Sequence, residues 1–140
     1  MYSLKTISCF DSAHFLSGYE GKCSNIHGHR WEVEIEVASK ELDKEGNFRG
    51  MIVDFSKLKE DLKAITEFLD HCLIIEKGTL KQKTMDVLRD EGFRVEEVDF
   101  RPTAENFSQF FYVQMQKKGY NVLKSTVYET PNNCATFYQE

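Results

Sequence analysis

The stretch that decides the fold runs from residue 23 to residue 31 and reads Cys23-Ser24-Asn25-Ile26-His27-Gly28-His29-Arg30-Trp31. His27 and His29 are two residues apart, so an extended backbone places both imidazoles on the same face. Trp31 and the apolar residues at 33, 35 and 37 continue this phase, while glutamates at 32, 34 and 36 take the other face. The alternation predicts a half-buried strand over residues 30–39, with the histidine pair in line with its apolar face.

The histidines of this region form a candidate metal site. The protein has four histidines, and three of them, His14, His27 and His29, lie in or near the opening stretch. An imidazole on an apolar face is costly without a partner, and zinc is a partner that suits it. Three imidazoles without an obvious fourth protein ligand describe an open, catalytic type of zinc site. From the residues alone, two alternatives remain: polar strand residues without a metal, and a closed structural site with Cys23 as the fourth ligand.

Length and composition predict a single packed domain spanning residues 1–140. The hydrophobic fraction is 41% and eleven residues are Phe, which is typical of a globular core. The formal net charge of −5 argues against nucleic acid or an anionic membrane as the main partner. A small anionic substrate is still compatible with this charge, because a local cation can override the global sign.

The cysteines and the N-terminus bear on the cellular compartment. No apolar run approaches the roughly 20 residues that a membrane span needs. The first residues, Met1-Tyr2-Ser3-Leu4-Lys5, do not form the apolar core of a signal peptide. The four cysteines, at 9, 23, 72 and 134, show no paired spacing. We therefore expect free thiols in a reducing, cytoplasmic environment.

The remaining periodicities predict an α+β fold, an antiparallel sheet with helices packed on one face. Besides residues 30–39, strands are expected over residues 2–10, 94–100, 120–129 and 134–138. Residues 48–53 are predicted to return as the second arm of a hairpin with 30–39. Asp54 is expected to cap a helix that ends near Asp70-His71. Thr79 is expected to cap a shorter helix that runs to about residue 89, and Thr103 a third helix that ends at Gly119.

Cys23 and the pair Asp70-His71 are the candidates for proton transfer. A thiol beside a metal can act as base or nucleophile, but a free thiol has a pKa near 8.5 and needs activation. A carboxylate can orient an imidazole that in turn activates a thiol. The alternative for Asp70-His71 is a helix terminus with a histidine placed favourably at its negative end.

Glu129 lies on the same face of its predicted strand as Leu123 and Val127, so its carboxylate is expected among apolar side chains. A buried carboxylate needs hydrogen-bond donors, and the edge of a guanine-like ring offers both an N–H and an NH2 group. The alternative is exposure at the end of the strand. Thr103-Ala104-Glu105 reads first as a helix start with an acidic residue in its first turn.

Six short motifs, taken together and in this order, resemble those of the 6-pyruvoyltetrahydropterin synthase family. They are Phe10-Asp11-Ser12-Ala13-His14, Cys23-x-x-x-His27-Gly28-His29, Val53-Asp54-Phe55, Leu69-Asp70-His71, Pro102-Thr103-Ala104-Glu105-Asn106 and Tyr128-Glu129-Thr130. The three-residue gap between Cys23 and His27 is similar to that of the carboxy-forming bacterial branch, which serves queuosine biosynthesis.

The resemblance implies roles for the candidate residues. It implies that zinc is the cofactor, bound by His14, His27 and His29, and that Cys23, Asp70 and His71 are catalytic. It further implies that the pterin substrate is bound by a second set of residues: Glu129, Glu105 and Thr103.

The resemblance also implies the fold, the assembly and the reaction. The family has the tunnelling fold, in which subunits combine their sheets into a barrel, often as a hexamer built from two trimers with active sites between subunits. The carboxy-forming reaction converts 7,8-dihydroneopterin triphosphate and water to 6-carboxy-5,6,7,8-tetrahydropterin, acetaldehyde and triphosphate. The alternatives are a pyruvoyl-forming enzyme acting on the same substrate and a non-catalytic zinc- or pterin-binding module.

One region departs from the family pattern. After Leu69-Asp70-His71 the family usually continues with a short loop containing Leu-Asn, whereas this chain continues with Cys72-Leu73-Ile74-Ile75 and a predicted extra helical segment. No glycine-rich phosphate-binding loop is visible, so the sequence assigns no residue to the triphosphate.

Overall fold

The long antiparallel pair of β1 (Tyr2–His14) and β2 (His27–Ser39) forms the centre of a six-stranded sheet. The computed structural model describes all 140 residues. The other elements are α1 (Phe55–Leu69), β3 (Leu73–Glu76), α2 (Gln82–Asp90), β4 (Val95–Val98), α3 (Ala104–Lys117), β5 (Val122–Thr130) and β6 (Asn133–Phe137). None of the three helices combines the length and apolarity needed to cross a bilayer.

The strand order is β4-β3-β1-β2-β5-β6. The four strands β1, β2, β5 and β6 pair in antiparallel fashion, which confirms the predicted α+β fold. β3 and β4 instead join the β1 edge as parallel strands, so the sheet is mixed. Parallel neighbours need a crossover connection, and α2 provides it between β3 and β4.

The apolar face of β2 packs against α1 and α3. Trp31 is fully buried, with its ring stacked 5.9 Å from Phe10 and lying 4.9 Å from Phe107 of α3. Leu58 and Leu62 of α1 belong to the same core. Each such side chain contributes about 1.5–3 kcal/mol when fully buried, so this core fixes the face of β1 and β2 that meets the helices.

α2 packs on the opposite face of the sheet. Ile74 belongs to the core beneath α1 and α3, whereas its neighbour Ile75 belongs to a second cluster with Met85 of α2. Neighbouring strand residues point to opposite faces. α1 and α3 thus share one face, as predicted, and α2 covers the other face of the β3–β4 edge.

Two of the three predicted helix N-caps are found in the structure. Asp54 accepts a hydrogen bond from the Ser56 amide at 2.9 Å, and Thr103 accepts one from the Asn106 amide at 3.3 Å. Both predicted N-caps are confirmed. The prediction that Thr79 caps α2 is wrong, because its hydroxyl donates to the Glu76 carbonyl and the N-cap is Lys81.

Several stretches differ from the predicted secondary structure, among them β2, which begins at His27 rather than at residue 30. Residues 48–53 do not form a hairpin arm with β2, because β1 and β5 occupy both sides of β2. That segment closes on itself instead, with Gly50 donating to the Asp43 carbonyl at 2.8 Å. β1 continues past Asp11 to His14, since its pairing with β2 extends to the end. The segment after His71 begins as β3 before any helix forms.

Candidate active site

The three histidines converge at the ends of the two central strands. His14 lies directly opposite His27 in the β1–β2 ladder, and His29 lies opposite Ser12. All three imidazoles share the face that carries Trp31, whose ring lies 4.9 Å from that of His14. The strand register therefore assembles the cluster that the sequence predicted.

The cluster contains a fourth donor, the carboxylate of Glu129 on β5. One ligand atom from each of His14, His27, His29 and Glu129 lies within 4.8 Å of the other three. The Nε2 atoms of His14 and His27 are 3.0 Å apart. Glu129 Oε1 lies 3.6 Å from His14 Nε2 and 3.4 Å from His29 Nε2.

The two distances to Glu129 fit a tetrahedral zinc ion, and the 3.0 Å between the His14 and His27 nitrogens is slightly shorter than such a site needs. Zinc binds imidazole and carboxylate at about 2.0–2.2 Å, so ligand atoms at the corners of a tetrahedron lie about 3.3–3.6 Å apart. His29 Nε2 is buried without a hydrogen bond, although Glu129 is only 3.4 Å away. A buried nitrogen without a hydrogen bond, facing three other donors, is what a metal ligand requires.

Backbone carbonyl groups hold two of the imidazoles in the orientation that metal binding needs. His14 Nδ1 donates to the Pro102 carbonyl and His27 Nδ1 to the Asn25 carbonyl, both at 2.7 Å. With Nδ1 protonated, the lone pair of Nε2 points into the cluster. Burial lowers the pKa of His14 to about 4. Burial also lowers the pKa of His29, so both rings favour the neutral, ligating form.

The residues predicted to bind substrate line one cavity beside the cluster. This cavity has a volume of about 340 Å³, and Thr103, Glu105 and Glu129 all contribute to its wall. Tyr19 and Arg101 line it as well. Glu129 therefore belongs to both the donor cluster and the cavity, and its carboxylate faces both.

Cys23 lies in a short 3-10 helix (Lys22–Ser24) and is partly exposed. Its carbonyl accepts a hydrogen bond from the Leu16 amide at 2.8 Å, which ties this turn to the end of β1 beside His14. Its sulfur is not among the four clustered donors. Glu129, rather than Cys23, therefore stands as the fourth donor next to the histidines.

Asp70 and His71 form the predicted dyad in the turn after α1. His71 Nδ1 lies 2.8 Å from Asp70 Oδ2, and Asp70 Oδ1 accepts from the Asp11 amide at 2.8 Å. The Asp11 amide, together with the His71 ring, holds the pKa of the Asp70 carboxyl below its usual range. Asp70 is therefore ionised at neutral pH and can orient the imidazole.

The dyad and the metal cluster lie on different faces of the sheet. His71 lines a cavity of about 630 Å³ that His29 of the cluster also borders, and four further strand residues line its wall: Asp11, Ala13, Gly28 and Arg30. These four strand residues alternate with His14, His27 and His29 along β1 and β2, so they point the opposite way. Within one chain, the structure brings together the candidate metal and substrate residues, whereas the dyad shares a cavity wall with His29 but has no hydrogen bond or ion pair to them.

Two features of the site are not visible in the sequence pattern. The Pro102 carbonyl that orients His14 is a backbone group 88 positions away in the chain, so no residue type marks it. Arg101 donates to the Ser17 carbonyl at 3.1 Å and lies over the Tyr19 ring, which holds the loop that leads to Cys23. Its only sequence signal is its position next to the Pro102-Thr103 motif.

Comparisons of the sequence with known proteins agree on one family. The sequence model of the 6-pyruvoyl tetrahydropterin synthase family matches residues 3–140. The chain is 31% identical to the 6-carboxy-5,6,7,8-tetrahydropterin synthase of Haemophilus influenzae, with 100% of both chains covered. It is 33% identical to the enzyme of the same name from Rickettsia bellii, over 88% of this chain and 90% of that one.

Solved structures show the same fold. An uncharacterized protein from Wolinella succinogenes superposes with a TM-score of 0.77 at 21% identity, covering 99% of this chain and 98% of that one. The 6-pyruvoyl tetrahydropterin synthase of Caenorhabditis elegans superposes with a TM-score of 0.70 at 21% identity, covering 99% of this chain and 96% of that one.

Proposed function

The chain belongs to the 6-pyruvoyl tetrahydropterin synthase family, and from this premise we propose that it is a zinc-dependent 6-carboxy-5,6,7,8-tetrahydropterin synthase. It would act as a single domain on 7,8-dihydroneopterin triphosphate, releasing acetaldehyde and triphosphate, in the cytoplasmic synthesis of queuosine. The observation that carries the proposal is the cluster of three histidines, with Glu129 beside them, next to a cavity lined by Thr103 and Glu105. The curated relatives that carry the carboxy-forming name support this activity over the pyruvoyl-forming one.

His14, His27 and His29 would hold the zinc ion. When bound, zinc supplies a Lewis acid that polarises oxygen atoms on the side chain of the substrate. The protein contributes the fixed positions of the imidazoles and a buried Trp31 beneath two of them. Water is thereby kept from the inner side of the cluster.

The cavity residues would bind and orient the pterin ring. A pterin presents N–H and NH2 groups along one edge, and carboxylates are the acceptors that match them. Glu129 and Glu105 provide such acceptors, and Thr103, whose hydroxyl caps α3, lines the same cavity. The orientation of the ring would place its side chain toward the histidines.

Cys23 and the Asp70–His71 dyad would transfer the protons. Because the dyad lies on the other face of the sheet, it does not meet Cys23 within one chain. We infer that the dyad of one copy acts at the metal centre of another, as the resemblance to a family with active sites between subunits implies. A homo-oligomer, in the family a hexamer, is then required for activity.

A single variant separates this enzyme from a non-catalytic zinc module. Cys23→Ala should abolish turnover of dihydroneopterin triphosphate while zinc content stays near that of the wild type, since the thiol is not among the clustered donors. Elemental analysis and the activity assay should be run on the same preparation, with Ser24→Ala, an exposed neighbour in the same 3-10 helix, as the control. Loss of zinc from Cys23→Ala would make the thiol a ligand and refute the proposed role.

A further inference from the structure

The turn between α1 and β3 holds one residue in an unfavourable backbone conformation. His71 has a φ of 53° and is the one residue other than glycine with a positive φ. This left-handed region costs a residue with a side chain on the order of 1 kcal/mol or more. The contacts around the turn must therefore hold it, and because His71 belongs to the dyad, they also set where its imidazole points.

Contacts from β1 hold one side of this turn. The His71 amide donates to the Asp11 carbonyl at 2.7 Å, and the Asp11 amide donates to Asp70 Oδ1 at 2.8 Å. These two bonds fix the dyad to the end of β1. The end of α1 leaves carbonyl groups without partners inside the helix. Of these, β1 reaches that of Leu69, which accepts from the Ser12 hydroxyl.

Arg94, just before β4, holds the other side. Its guanidinium donates to the Asp70 carbonyl at 2.8 Å and to the Phe68 carbonyl, and it lies 3.5 Å from the Glu67 carbonyl. The last turn of α1 contains no basic side chain of its own. Arg94 thus supplies both the hydrogen-bond donors and the positive charge that a helix C-terminus favours.

The geometry of these contacts requires arginine. A guanidinium is a planar fork with five N–H donors, whereas a lysine ammonium is a compact point charge on a flexible stem. Arg94 spreads its donors over Phe68, Asp70 and the carboxylate of Glu96, which lies 3.2 Å from Nε. Lysine can retain the charge at this site but not the full set of bonds.

We propose that Arg94 is a positioning residue for the Asp70–His71 dyad, because it binds the carbonyl groups that border the left-handed turn. The inference rests on the proposed function, in which the dyad transfers protons. Arg94 belongs to the β3–α2–β4 segment, the region where the sequence departs from the family pattern. Through Arg94, that segment therefore supports the dyad.

The test compares Arg94→Gln and Arg94→Lys with Arg89→Gln in the zinc-loaded full chain. Arg89 comes from the same segment but bonds Val95 and Glu97 instead of the dyad turn, so it is a matched control. Amide hydrogen exchange of Asp11 and His71, measured by NMR, reports the turn without any need for activity. Steady-state kinetics with dihydroneopterin triphosphate report the catalytic consequence.

For Arg94→Gln we expect faster exchange at Asp11 and His71, while amides of the central strand, such as that of Val33, keep their protection. We expect kcat to fall by about 10- to 100-fold with little change in KM, because the dyad is displaced rather than removed. Arg94→Lys should recover part of kcat, and Arg89→Gln should match the wild type.

Two results would overturn the proposal. The first is that the His71 amide of Arg94→Gln exchanges as slowly as that of the wild type. The second is that exchange rises equally across the whole sheet while kcat per folded molecule stays unchanged. An inactive wild-type protein would instead count against the proposed function. In that case the exchange data alone decide whether Arg94 holds the turn.

Discussion

At the scale of single residues, His14 belongs both to the candidate metal site and to the buried core of the protein. Its side chain is 1% exposed, and burial lowers its pKa from 6.5 to about 4. The neutral ring is the form that can both accept a metal and remain in the core. A buried imidazole that is already neutral at pH 7 does not have to release a proton when zinc binds.

This burial predicts an acid-sensitive metal-free protein. Below the unfolded-state pKa of 6.5, the unfolded chain binds a proton at His14 that the folded chain does not, so stability falls as the pH drops from 6.5 toward 4. A shift of this size corresponds to about 3 kcal/mol across that range. Burial of His29 acts in the same direction.

Urea unfolding of the zinc-free protein at a series of pH values measures this effect. The His14→Gln protein, which lacks the titrating ring, should show a clearly flatter dependence. Glu36, Asp61 and Asp70 also have lowered pKa values and so lose stabilising charge in acid, but both proteins contain them and their effect cancels in the comparison. Equal slopes for the two proteins between about pH 6.5 and pH 4 would contradict the assigned burial of His14.

The sequence predicts which residues form the metal site better than it predicts how they are held. Three histidines near one strand can be recognised from spacing and from the family motifs. Glu129 as a fourth clustered donor depends on the pairing of β2 with β5, which brings together residues about a hundred positions apart. The Pro102 carbonyl depends on the packing of α3, and neither relation leaves a local pattern.

At the scale of elements, α1 and the end of α3 are joined by a polar contact outside the core. The Tyr120 hydroxyl donates to Asp61 of α1 at 2.6 Å, and Lys57 and Lys118 lie near the same carboxylate. This hydrogen bond is the main reason that the pKa of Asp61 is lowered. The contact therefore fixes how the two helices lie on their shared face of the sheet.

Tyr120→Phe should lower the free energy of unfolding by about 1.5 kcal/mol, the loss expected for a hydrogen bond to a charged group. Lys57 and Lys118 still pair with Asp61 in the variant, which keeps the effect at the lower end of the range. Tyr138→Phe, which changes an exposed tyrosine, is the matched control. Denaturant unfolding at neutral pH measures both variants. Equal midpoints would show that the hydrogen bond from Tyr120 to Asp61 does not stabilise the protein.

Elements with strong local signals were predictable, and those fixed by long-range pairing were not. α1 and α3 have clear caps and apolar periodicity, and both appear where expected. β3 has four residues and reads equally well as buried helix, because short apolar runs do not separate the two. The hairpin predicted for residues 48–53 does not form, because β5, far along the chain, pairs with β2 instead.

At the scale of the whole molecule, the separation of the dyad from the metal cluster predicts an obligate assembly. If each active site takes Cys23 from one copy and His71 from another, two inactive variants can complement each other. A 1:1 mixture of Cys23→Ala and His71→Ala, unfolded and refolded together, should regain about one quarter of the wild-type activity. Each variant refolded alone should remain inactive, and a mixture that is also inactive would place the whole site within one chain.

Product analysis distinguishes the proposed reaction from its alternatives. The zinc-loaded protein should be incubated with 7,8-dihydroneopterin triphosphate, and acetaldehyde, triphosphate and the pterin product should be quantified together. We expect 6-carboxy-5,6,7,8-tetrahydropterin, with acetaldehyde and triphosphate released in equal amounts, and no product from the His29→Ala protein. Triphosphate without acetaldehyde would identify a pyruvoyl-forming enzyme, and the absence of both from a zinc-loaded, assembled protein would contradict the proposed function.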